Sequence, residues 1–245
     1  MNKSKTLIIP PQGLPPKLPT FTNSNTGIEG LNHTNDVDKV TKTLCIAFAD
    51  STPGDYLMKK FFNVALDEPT SRSRIDAMMH YYTACYHDLG GELIEANSFD
   101  AVSLWSVPGA HLPVSYTNDP KFNKIFFDDM VKRKKAVLPE GMDYYYLFMI
   151  GKDLTHPEIR GSVRKIFQYF QKRADDENCA IILEAISEHA RSVYEYFGFK
   201  NYLTFKFGVG ECDSKGNLDP KGEGFTAYLM IYHKDGDKVL RAYNI

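Results

Sequence analysis

The sequence predicts a mixed α/β fold in which a parallel strand–helix–strand unit lies beside antiparallel strands. Three observations lead there. Two short runs, 144–150 (YYYLFMI), apolar throughout, and 180–186 (AIILEAI), read as buried strands, and a segment of helical periodicity separates them. Two further runs, 92–96 and 101–107, flank a turn at Asn97-Ser98-Phe99-Asp100 and read as an antiparallel hairpin. A last pair, 202–209 and 225–233, is joined by a glycine-rich loop.

Residues 1–35 are rich in Pro, Asn, Thr and Gly and show little sustained periodicity, apart from one short strand expected at Thr6–Ile9. They read as an arm, with a single domain over 36–245. From Asp36, a candidate cap, Val37, Val40, Leu44, Ala47 and Phe48 fall on one helical face. Ser51-Thr52-Pro53-Gly54 breaks the pattern before a short helix over 56–64. A longer helix over 72–89 carries Ile75, Met78, Met79, Tyr82 and Tyr86 at spacings of three and four. After the hairpin, Phe122, Ile125, Phe126 and Met130 form the apolar stripe of a helix over about 119–135. Helices are also expected over 162–174 and 189–197.

The chain of 245 residues is 43% hydrophobic and 24% charged, enough apolar material for one sizeable core and too much for disorder. A formal net charge of −2 gives no reason to expect nucleic acid as a partner. Cys45, Cys85, Cys179 and Cys212 are scattered, with no pair at metal-ligand spacing, so reduced thiols and no metal are expected. The apolar stretch Leu7-Ile8-Ile9 stops at Pro10-Pro11, and no window approaches a membrane span. A soluble protein of the cytoplasm is expected, with the nucleus also open to it.

Chemistry is expected where the 144–150 strand runs through a loop into the next helix. The first amides of a helix have no intrahelical partner and carry partial positive charge. Gly161 permits close backbone approach, and Arg160, Arg164 and Lys165 add cations, so the site suits a phosphate or pyrophosphate. Glu184 interrupts the second apolar strand. A carboxylate there requires an ion pair or a function, and both readings stand on equal terms.

Two segments carry a family resemblance. ILEAIS followed by HARSVYEYFGFK resembles the GNAT signature, a strand ending in Ser or Asn followed by A-x-x-L-Y-x-x-x-G-F. It stands here as Ala190, Val193 (for the usual Leu), Tyr194, Gly198 and Phe199. Arg160-Gly161 is similar to the first two positions of the family's acetyl-coenzyme A motif, [QR]-x-x-G-x-G/A. The second glycine is absent, since Ser162-Val163-Arg164 follows, and the loop 151–157 is about three residues longer than the common one. LWSVPG at 104–109 is also similar to a hairpin of small-molecule N-acetyltransferases.

The resemblance implies a GNAT fold: a mostly antiparallel sheet, a V-shaped splay between two central parallel strands, and helices on both faces. It implies transfer of an acetyl group from acetyl-CoA to the amine of a small molecule by direct attack on the thioester. A protein or peptide acceptor, or a domain that binds CoA without turnover, are the alternatives. It further implies CoA contacts from Met149, Ile150, Gly151, Arg160, Gly161, Ser162, Val163, Arg164, Ser187 and Tyr194, with an oxyanion donor at Ile150 or Gly151. Tyr194 is then the acid for the departing thiolate and Glu184 the leading base, with Glu92, Glu95, His111 and His156 as weaker bases. Trp105 is read as lining the acceptor pocket, with Glu184 at its edge. The last residues, 242–245, are read as able to fold back towards the site, and the protein as a monomer or homodimer.

Overall fold

The computed structural model describes residues 26–240. The Thr6–Ile9 strand and the return of 242–245 lie outside the described residues. The elements run β1 (Leu31–His33), α1 (Val37–Ala47), α2 (Thr52–Phe61), α3 (Arg72–Asp88), β2 (Glu92–Ala96), β3 (Ala101–Ser106), α4 (Pro120–Asn123), a π-helical stretch (Lys124–Asp129), α5 (Met130–Val137), β4 (Tyr144–Lys152), α6 (Ser162–Glu177), β5 (Ala180–Ala185), α7 (Glu188–Tyr196), β6 (Lys200–Phe207) and β7 (Phe225–Tyr232).

Among the described residues one seven-stranded sheet forms in the order β1-β2-β3-β4-β5-β7-β6. In it β4 and β5 are parallel, as the apolar run–helix–apolar run pattern requires, and its other pairings are antiparallel. Leu31–His33, inside the stretch read as an arm, adds an edge strand against Ile94–Ala96. Three residues carry too little periodicity to announce a strand; Leu31 is nevertheless fully buried. Asp36 caps α1 as expected, its carboxylate accepting from the Lys39 amide. The single helix expected over 119–135 is interrupted by six residues of π-helix.

Two layers cover the sheet. On one face α6 and α7 bury Ile166, Phe167 and Phe170 against Trp105, Tyr145, Leu147 and Leu183. On the other, α1 and α3 cover β2–β4 through Leu44, Met79, Val102 and Leu104. There too, Phe122, Met130 and Val137 of the α4–α5 stretch pack on the β5–β7 side with Ile182, Phe207 and Leu229.

The position of the site follows from β4. It pairs with β5 only from Tyr144↔Ala180 to Leu147↔Leu183, while its pairing with β3 continues to Ala101↔Lys152. On the β3 side Trp105 faces Leu147 and Leu104 faces Met149, so Phe148 is the extra residue of a bulge. The bulge shifts the alternation. Tyr145 and Leu147 join the α6 layer, Phe148 and Met149 both join the α1/α3 layer, and Ile150 returns to α6. Beyond Leu147 and Leu183 the two parallel strands therefore part and leave a cleft.

Candidate functional site: a cleft between parallel strands and an aromatic chamber

The cleft opens at the carboxyl ends of β4 and β5, the place where open α/β sheets take ligands. The loop 153–161 brings α6 back to the same end. Gly161 caps α6 with φ +84°, a left-handed conformation that glycine adopts freely, and a Cβ added there would meet nothing within 4 Å. No side chain caps this helix. The first backbone amide of α6 with a backbone acceptor is that of Lys165, bonded to the Gly161 carbonyl. The amides of Ser162, Val163 and Arg164 thus form a donor cradle at the positive end of a sixteen-residue helix. Its shape fits a diphosphate, with the absent second glycine replaced by residues that keep helical geometry.

The side chains around this cradle divide. Arg160 is exposed and has no acidic partner among the described residues. Arg164 is exposed and donates to the Tyr196 phenol. Lys165 does not serve the cradle: its Nζ donates to the Glu29 carbonyl (2.7 Å) and Asn97 Oδ1 (2.8 Å), tying α6 to the chain before β1. Ser162 offers its amide but not its hydroxyl, which donates to buried Asp100 and accepts from Asn97 Nδ2. Asp100 in turn receives Lys152 Nζ at 2.9 Å. Ser187 Oγ caps α7 by accepting from the Ala190 amide at 3.1 Å, so that hydroxyl is spoken for.

Tyr194 lies on α7, its ring edge-on to Phe167 at 5.8 Å. Its hydroxyl has no hydrogen-bond partner among the described residues, and burial pushes the phenol up to about 12. Gly151 is required by packing: a Cβ there would stand 2.7 Å from Ala47 Cβ. Met149, Ile150 and Gly151 all lie on the unpaired side of the cleft.

On the opposite face of the sheet from α6 lies a chamber of about 730 Å³. Tyr144, Tyr146 and Phe148 of β4 form its floor, Tyr82 and Tyr86 of α3 one wall, and Phe126, Phe127 and Met130 another. The π-helical stretch widens the helix where Phe126 and Phe127 meet this wall. Most of the far wall comes from the long connection between β3 and β4, residues 107–143.

Glu184 lies on β5, on the face opposite Leu183 and Ala185 as alternation requires, and touches two chamber-lining residues. Tyr146 Oη donates to Glu184 Oε2 at 2.6 Å, and Lys134 Nζ stands 3.0 Å from Oε1. The ion pair is formed, and the glutamate is largely buried within it.

Trp105 does not line the chamber. It is fully buried on the α6 face, stacked on Phe170 with centroids 3.7 Å apart, and its indole N–H donates to Ser103 Oγ at 2.7 Å. One residue later, Ser106 points to the other face and is the β3 residue that does line the chamber. Of the weaker base candidates, Glu92 is held by Arg173 (2.6 and 3.0 Å) and Glu95 accepts from Asn32 and the Phe99 amide. His156 is exposed beside Glu158. Only His111 reaches the chamber. The chamber itself escaped sequence reading because its walls come from residues between Phe61 and Phe148 that share no local pattern.

The family model described as the YOR012W acetyl transferase domain matches residues 32–111. Over 231 residues the chain is 53% identical to "Uncharacterized protein YDR391C" of Saccharomyces cerevisiae, an alignment covering 92% of this chain and 97% of that protein. It is 27% identical over 181 residues to "Uncharacterized N-acetyltransferase C550.08" of Schizosaccharomyces pombe, covering 67% of this chain and 70% of that protein. Among solved structures, arylalkylamine N-acetyltransferase 2 from Aedes aegypti is similar with a TM-score of 0.52 at 13% identity, covering 83% of this chain and 97% of that one. At that identity the likeness is one of fold.

Proposed function

Because the chain belongs to the GNAT superfamily, and within it to the family of YDR391C, we propose that it transfers an acetyl group from acetyl-CoA to the amine of a small molecule. One observation carries this reading. The pairing of β4 with β5 ends at Leu147↔Leu183, between a cradle of helix amides at the start of α6 and an aromatic chamber on the opposite face. The likeness to the Schizosaccharomyces pombe protein supports the reaction class.

In this reading the amides of Ser162–Arg164 and the exposed Arg160 hold the CoA diphosphate. The pantetheine arm lies in the cleft, and the thioester sits beside the unpaired stretch Met149–Gly151. A backbone N–H of Ile150 or Gly151 receives the developing oxyanion. The amine attacks from the chamber side. Tyr194, unpartnered and raised by burial, gives its proton to the leaving sulfur. A small acceptor is preferred over an extended peptide because the acceptor space is a chamber walled on several sides, in large part by residues 107–143.

Isothermal titration with acetyl-CoA tests the reading. Micromolar binding that weakens at least tenfold in the Arg160→Ala/Arg164→Ala variant is the expected result. No heat at high micromolar ligand removes it. A release assay for the free thiol, run over primary amines and N-terminal peptides, then separates a small acceptor from a peptide.

A further inference from the structure

His111 completes a row of three groups on the chamber wall. Its Nε2 stands 3.3 Å from Asp143 Oδ1 and its Nδ1 stands 3.0 Å from Ser106 Oγ. The ring lies flat on Tyr144, centroids 4.2 Å apart and planes 20° from parallel, which fixes its orientation. A carboxylate accepts only, so Nε2 carries the proton, and the lone pair on Nδ1 receives the Ser106 hydroxyl. Ser106 and His111 both line the chamber.

The sheet register places the row beside the cleft. Ser106 is paired with Tyr146, and the next residue of β4, Leu147, is the last that pairs with β5. Ser106 is thus one strand spacing, about 4.8 Å, to the side of the cleft mouth and one residue short of it. Glu184, the other carboxylate near that mouth, already holds the Lys134 ammonium and the Tyr146 phenol.

Resting on the acetyltransferase reading above, we propose that Ser106, His111 and Asp143 form the proton acceptor that converts the acceptor's ammonium to the attacking amine. The ammonium gives a proton to Ser106 Oγ as the Ser106 hydroxyl proton passes to His111 Nδ1. Asp143 stabilises the resulting imidazolium. The neutral nitrogen then attacks the thioester carbon, and its second proton leaves with the thiolate through Tyr194. His111, whose side chain is 31% exposed, returns its proton to solvent. The sum is one ammonium and one thioester giving one amide, one thiol and one proton.

The charges around His111 suit this task. Burial holds the imidazole below its usual range, Asp143 works against that, and Lys134 of α5 adds to it. Lys135 and Glu140 also line this chamber. The ring is neutral near pH 7 and available as a base. Ser106 acts on substrate directly; His111 and Asp143 act through it and are positioning residues.

The test is kcat against pH at saturating amine and acetyl-CoA, for the wild type, Ser106→Ala, His111→Asn, Asp143→Asn and Glu184→Gln, each first checked for its thermal midpoint. The wild type is expected to lose rate on acidification below pH 6.5. His111→Asn should lower kcat roughly 10²-fold and abolish that acid limb, and Ser106→Ala should lower kcat by a similar factor. Asp143→Asn, which removes the charge that favours imidazolium, should shift the limb to lower pH, a movement that a purely structural role would not produce. Glu184→Gln should keep the limb. If His111→Asn retains both limb and rate, or if the limb disappears in Glu184→Gln, the row is not the proton acceptor and the acetyltransferase reading stands. If the wild type binds no acetyl-CoA, or binds it and turns over no amine, both fall.

Discussion

The phenol of Tyr146 donates a 2.6 Å hydrogen bond to the Glu184 carboxylate across the parallel pair, just where β4 and β5 begin to part. Lys134 closes the arrangement from α5, 3.0 Å from the same carboxylate and 4.1 Å above the Tyr146 ring. A helix of the β3–β4 connection is thereby fastened to the mouth of the cleft by charge as well as by packing.

Removing one partner of a largely buried ion pair strands the other. Lys134→Met is expected to lower unfolding stability by about 2–3 kcal/mol in urea denaturation, while Lys134→Met with Glu184→Met recovers most of it. Equal losses in the single and double variants would show that the pair contributes nothing.

Tyr194→Phe removes a hydroxyl that no described residue engages. The thermal midpoint should stay within about 2 °C, because the ring and its packing are kept and no partner is left without a hydrogen bond. Acetyl transfer should fall roughly 10²-fold with the Kd for acetyl-CoA unchanged, as loss of a general acid requires. An unaltered rate would remove the phenol from the reaction.

Gly151→Ala places a methyl 2.7 Å from Ala47 Cβ and 3.2 Å from Leu44 Cδ2. Helix α1 must move to admit it, at a cost of about 1–3 kcal/mol. The pairing of Ala47→Gly with Gly151→Ala should restore part of that loss, read as the shift in urea midpoint. No loss in Gly151→Ala alone would contradict the close approach.

His33, the last residue of the edge strand β1, is held below its usual value of 6.5 by burial, with Glu92 opposing the effect and Arg173 adding to it. The unfolded chain therefore takes up this proton first as pH falls. Stability contributed here is full above pH 6.5 and is lost on acidification from 6.5 towards the folded value. Urea midpoints measured from pH 8 to pH 5.5 should fall more steeply for the wild type than for His33→Gln; parallel curves would show that the group is silent.

Much of the fold was legible because its signals are local. Two short, mostly apolar runs announced the parallel pair, Asp36 announced its helix, and the turn 97–100 announced the hairpin. The site was legible in part. The cradle follows from one strand, one glycine and one helix start, which a linear reading can find. The face on which a strand residue lands, by contrast, depends on register. Trp105 reads as a pocket residue by its chemistry, yet one position separates the α6 core from the chamber, and Ser106 occupies the other side. The chamber and the row at Ser106, His111 and Asp143 depend on a connection whose path is set by tertiary packing; His111 meets Asp143 from 32 positions away. No periodicity encodes that path.

Phe148 is the residue by which β4 outnumbers its neighbour, and the two halves of the strand are out of phase because of it. A deletion of that single codon would remove the bulge and leave a regular alternation, with Met149 still facing α1 and α3, Ile150 still facing α6, and both opposite the same β3 partners. Substitutions along β4 are tolerated according to size and polarity, but a one-residue insertion or deletion outside the bulge exchanges every inward and outward position beyond it. The count of residues in this strand is thus itself inherited information, as binding on the molecule's descendants as any side chain within it.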